Sequence, residues 1–90
     1  MEEAGIATIG SSSTKVKKAT ITFMSPFTAV PVVVATTLQD AGYPTGSIDD
    51  TFAVSVTGVT TAKFSVNIIR VDAGPGWGQN LRLGYSATTP

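Results

Sequence analysis

Ninety residues make a single domain, and a chain of this length buries only about 60–65% of the surface its unfolded form exposes. Charged residues are 13% of the chain, with six Lys+Arg against six Asp+Glu, and neither Cys nor His occurs. Disulfides, thiolate metal sites and histidine ligands are therefore excluded, and no metal or cofactor is expected. The zero net charge also argues against nucleic acid, which requires a basic footprint.

Of the stabilising devices open to small domains, self-association is the one that remains. Sparse surface charge supports it, because a lone monomer with so few charges is prone to precipitate. The longest apolar run, Ala29 to Ala35, is seven residues with Pro31 inside it, so insertion into a membrane as a helix is not expected. The start, Met1-Glu2-Glu3, lacks the basic residues of a secretion signal.

Thr occurs 14 times and Val 10 times, and no window carries apolar residues at helical spacing. β-branched residues suit a pleated, half-buried surface, so the composition predicts an all-β domain. Six strands are expected. The first spans about Glu3–Ile9 and ends at Gly10, before the polar turn Ser11-Ser12-Ser13. The second, Lys15–Met24, places Ala19, Ile21 and Phe23 on one face and stops at Ser25-Pro26, because proline cannot donate to a ladder. Lys15, Lys17 and Lys18 form a small basic cluster, read as a solvated strand face or a contact for an anionic partner.

The third strand, Ala29–Gln39, is apolar on both faces: Val30, Val32, Val34 and Leu38 on one, Pro31, Val33 and Ala35 on the other. Such a strand is covered twice, and a neighbouring subunit is the expected second cover. A loop from Asp40 to Asp50 leads into strand four, Thr51–Thr57, with Phe52, Val54 and Val56 inward. A hairpin loop, Gly58–Ala62, joins strand five, Lys63–Val71, with Phe64, Val66 and Ile68 inward. The loop Asp72–Gly78 reads DAGPGWG and precedes strand six, Gln79–Ala87, with Leu81, Leu83 and Tyr85 on one face.

Candidate chemistry is sparse. Nucleophilic triads usually need a His as general base beside a Ser, Thr or Cys, and neither His nor Cys occurs here. The GPGWG glycines lack the helix and lysine of a phosphate loop. Asp40, Asp49 and Asp50 are the clustered acids. They read as turn-capping residues, with sugar or calcium contact and glycoside catalysis as the alternatives. Trp77 stands between glycines in a loop, where its ring could stack on the C–H face of a sugar beside Asp72, or fold back as a hydrophobic plug. Tyr43 carries the same two readings. Arg70 and Arg82 read as partners for Asp.

The stretch ATITFMSPFTAVPVVVATTLQD, Ala19 to Asp40, resembles the central signature of H-type lectins: a strand ending Ile-Thr-Phe, a Ser-Pro-aromatic turn, and a Pro-Val-Val strand. TFAVSVTGVTTAKFSV and the closing LRLGYSA are similar to that family's later strands, with Tyr85 where an aromatic is usual. The resemblance runs from about Gly10 to Ala87 and implies a six-stranded antiparallel β-sandwich, homotrimeric, with metal-free sites for galactose or N-acetylgalactosamine between subunits. Ser12 stands where the family carries an acid before the second strand. Thr51, beside Asp50, stands where a basic residue opens the fourth, and Val71-Asp72 where an aromatic and a His end the fifth.

Domains of this kind also look similar to the tips of phage and bacterial tail fibres, which are trimeric. The expected function is therefore a carbohydrate-binding module, not an enzyme, extracellular or on a virion surface, with Asp72 and Trp77 at the ligand and Ser12, Asp50 and Thr51 supplied across the subunit boundary. The alternative is a structural trimerisation or capping knob of a fibre with no glycan ligand.

Overall fold

The computed structural model describes residues 1–39, 51–72 and 75–89. These form β1 (Glu2–Ser12), β2 (Val16–Thr22), β3 (Val32–Leu38), β4 (Phe52–Thr57), β5 (Lys63–Arg70) and β6 (Trp77–Thr88), with no helix among the described residues. All ladders are antiparallel. One sheet has the order β1-β6-β3 and the other β2-β5-β4, so the expected six-stranded antiparallel β-sandwich is what the chain forms.

Period-two alternation explains the layering. β5 buries Phe64, Val66 and Ile68, and β6 buries Leu81, Leu83 and Ala87, which makes these two central strands the floor and roof of one core. The flanking strands contribute Ile9, Phe23 and Phe27, with Ile21, Val33, Phe52, Val54 and Tyr85 packed at the margin. Phe23 meets Phe27 at 4.8 Å and Phe64 at 5.5 Å, and Phe64 meets Tyr85 at 5.2 Å. The segment after β2 is tied down by two backbone bonds: the Phe23 amide donates to the Ala62 carbonyl and the Phe27 amide to the Thr61 carbonyl.

Two polar braces join the sheets. The Glu3 carboxylate on β1 accepts the Tyr85 hydroxyl at 2.7 Å and the Met24 amide at 2.9 Å. Burial, with the adjoining Glu3 charge and hydrogen bond, pushes the Tyr85 phenol up to about 12. At the other end the Lys17 ammonium donates to the Ile9 and Ser11 carbonyls at 2.7 and 2.8 Å, where β1 shifts register around Gly10. Gly10 has φ 80°, a left-handed conformation that glycine adopts without steric cost.

The third strand is shorter than its apolar run. Pro31 is buried and precedes the ladder, which begins at Val32. Its inner face, Val33 and Ala35, packs on the core. Its outer face is open: Val30, Val32 and Val34 are 54%, 59% and 67% exposed. Among the described residues, none supplies the second cover expected for this strand.

Candidate functional site

Antiparallel pairing gives the sandwich two poles. At one, Glu2 pairs with Thr88, and Met1 and Thr89 are joined by a backbone bond of 3.1 Å from the Thr89 amide. At the other, Ser12 pairs with Trp77, and the turn after β1 lies beside the start of β4 and the end of β5. The domain measures 43 × 22 × 17 Å, so the poles are the ends of an elongated body.

The second pole gathers four of the five residues singled out from sequence. Ser12 closes the turn into β2: its hydroxyl donates to the Thr14 carbonyl at 2.8 Å and accepts the Thr14 amide at 3.1 Å. Thr51 is exposed, and its carbonyl accepts the Val71 amide at 2.8 Å. Asp72 bridges the set. One carboxylate oxygen pairs with the Arg70 guanidinium, the other accepts the Thr51 amide at 3.3 Å, and its carbonyl accepts the Lys15 ammonium at 3.2 Å. Arg70 also donates to the Gly76 carbonyl. The Arg–Asp pair read from sequence is thus Arg70 with Asp72, and it clamps the loop that connects β5 to β6. Asp50, like Asp40, Tyr43 and Asp49, lies outside the described residues.

Trp77 takes the plug conformation. It is the first residue of β6, not a loop residue, and is 4% exposed. Its indole N–H donates to the Gly10 carbonyl at 2.8 Å, and the Phe52 ring meets it edge-on at 5.0 Å and 87°. The ring face that sugar stacking would need is packed inside the domain. The alternation Trp77, Gln79, Leu81, Leu83 is the sequence signal for this arrangement, because it carries the inward period of β6 back across Gly78.

Gly76 sets how closely the two sheet ends meet. A Cβ there would lie 2.3 Å from the Ser12 carbonyl oxygen, closer than any side chain allows, so glycine is required by space rather than by φ. Behind the pole, fully buried Gln79 donates to Gln39 at 3.0 Å. Among the described residues no group of three or more acids could hold a metal ion.

The outer faces of the two sheets differ in chemistry. On β2-β5-β4 the outward rows include Lys18, Asn67 and Ser55, then Thr20, Ser65 and Thr57, with a Thr20–Ser65 hydroxyl bond of 3.0 Å. On β1-β6-β3 the outward rows are Glu2, Thr88, Val32; Ala4, Ser86, Val34; Ile6, Gly84, Thr36; and Thr8, Arg82, Leu38. Ile6 there is 63% exposed. A shallow depression of about 240 Å³ opens over Gly84, lined by Val34, Ala35, Thr36, Tyr85 and Ser86.

No family model and no curated protein matches the chain. Solved structures similar to it include a phage tailspike and a pyocin tail fibre. The tailspike gp61 of Pseudomonas phage phi297 is 17% identical with a TM-score of 0.75, over 100% of this chain and 15% of the tailspike. An N-truncated R1-type pyocin tail fibre is 18% identical with a TM-score of 0.74, over 96% of this chain and 67% of the fibre. At these identities the likeness is one of fold, and the chain spans a small part of the tailspike's length.

Proposed function

We propose that this chain is a non-catalytic, carbohydrate-binding domain of a tail fibre or tailspike, carried on a virion surface and assembled as a homotrimer. The observation that carries this reading is the convergence of Ser12, Lys15, Thr51 and Asp72 on the pole opposite Met1 and Thr89. Hydroxyls, an ammonium and a braced carboxylate supply the donors and acceptors that a polyhydroxylated ligand needs. The fold likeness to a tailspike and a tail fibre supports the setting.

With Trp77 buried, recognition rests on polar groups, so each site is weak and the assembly gains by avidity, about 10²–10⁴ for linked sites. The sugar class follows the lectin resemblance: galactose or N-acetylgalactosamine type. The rival reading, a structural knob with no glycan ligand, is favoured by one feature: Asp72 and Trp77 both hold the domain's own chain.

A glycan array probed with protein of known mass separates the two. Binding to a defined glycan class, lost in Asp72→Asn at unchanged mass, supports the lectin reading. An assembled protein silent across the array contradicts it and leaves the knob.

A further inference from the structure

We infer that the outer face of β1-β6-β3 is where copies of this chain meet, with Ile6 of one copy seated in the depression over Gly84 of the next. This deepens the self-association part of the proposed function and is independent of the glycan.

The four outward rows on three strands cover a footprint of about 14 × 23 Å, using strand spacings of ~4.8 Å and ~3.3 Å per residue. That is roughly 300 Å² per copy, and five of its twelve residues, Ala4, Ile6, Val32, Val34 and Leu38, carry apolar side chains. Its only charges are Glu2 in the first row and Arg82 in the last. The two middle rows are uncharged and combine a knob, Ile6, with a hollow floored by Gly84. A Cβ on Gly84 would lie 3.3 Å from Leu38, so any larger residue there would begin to fill the hollow.

The occupant is a second copy because both halves of the contact are on this face and in one row, Ile6–Gly84–Thr36. Zero net charge leaves no overall repulsion between copies. On the other sheet the middle rows are Lys, Asn, Ser and Thr, and the apolar row Val16–Ile69–Ala53 carries no glycine to floor a hollow. β1 and β3 are opposite edges of their sheet, so seating one copy's β1 on the next copy's β6–β3 side is a head-to-tail contact, the kind that forms a ring when the rotation between copies closes; in the proposed homotrimer it closes at three.

The absence of native cysteine makes cross-linking a clean test. Ile6→Cys and Thr36→Cys stand two strands apart, about 9.5 Å, beyond the ~7 Å that a disulfide spans, so the pair cannot close within one copy. Oxidation of the double variant should give a covalent ladder ending at three chains, and neither single variant should pass a dimer. In parallel, Val34→Glu should reduce the light-scattering mass to one chain, with Ser55→Glu on the other face unchanged. A Val34→Glu protein that keeps the wild-type mass, or an assembled double variant that forms no cross-link, would overturn this interface while leaving self-association standing. A wild type that is itself monomeric would overturn both.

Discussion

The Trp77 indole donates to the Gly10 carbonyl at 2.8 Å, and this bond ties the first residue of β6 to the bulge in β1, 67 positions earlier in the chain. Phe52 closes over the same ring, so one side chain joins strands from both sheets at the loop pole. Removing it opens a cavity and strands the carbonyl. Trp77→Ala should destabilise the domain by about 3–5 kcal/mol, and Trp77→Phe by less, because the ring stays and only the bond is lost. Urea unfolding followed by circular dichroism measures both. Trp77 is the sole tryptophan, so the wild-type emission should be blue-shifted and move red on unfolding.

Gly76 should tolerate no side chain. The Ser12 carbonyl occupies the space, and relief requires parting the β1 end from the β6 start. Gly76→Ala should cost about 1–3 kcal/mol. Gly58→Ala, in the hairpin at φ 59°, would meet the Ser65 hydroxyl at 3.9 Å, an ordinary contact, and should cost about 1 kcal/mol of backbone strain. Thermal melts of the two variants give the order directly.

The strands were legible because alternation survives in the sequence. Phe64/Val66/Ile68 and Leu81/Leu83/Tyr85 face the core as their spacing predicts. The ends were less legible. The second strand stops at Thr22, not Met24, because the Phe23 amide turns to the Ala62 carbonyl. The third starts at Val32 because Pro31 has no N–H for the ladder. The glycines that flank Trp77 point to a loop, whereas it opens β6. The contacts that hold it in β6 come from Gly10 and Phe52, far along the chain, and the local trace is only the alternation Trp77, Gln79, Leu81 across Gly78. The candidate site was legible as residues but not as a clamp: nothing in sequence spacing shows that Asp72 holds Thr51 and Arg70 together.

Tyr85 sets a high-pH limit on stability. Its phenol is raised from 10.0 to about 12 by burial and by Glu3, so the neutral form is favoured in the folded domain. A group with a raised folded value contributes fully below its unfolded value and loses that contribution as pH rises through the folded one. The urea midpoint should therefore fall between pH 10 and about 12. Tyr85→Phe should lower the midpoint below pH 10 and remove Tyr85's share of the later fall.

Asp72→Asn separates stability from recognition. The Arg70 and Asp72 side chains are 20% and 34% exposed, so the lost ion pair should cost only about 1 kcal/mol. Glycan binding should fall far more, by at least tenfold, if the carboxylate accepts ligand hydroxyls. Equal, small changes in both would assign Asp72 to the loop clamp alone. Calorimetric melts and surface-plasmon binding to an immobilised array hit give the two values.

The most direct test of carbohydrate recognition at the loop pole is an amide chemical-shift titration of the assembled protein with galactose and N-acetylgalactosamine. The expected result is saturable shifts at Ser12, Thr14, Thr51 and Asp72, with the amides around Met1 and Thr89 unmoved. Shifts confined to the terminal pole, or none with either sugar, would contradict it.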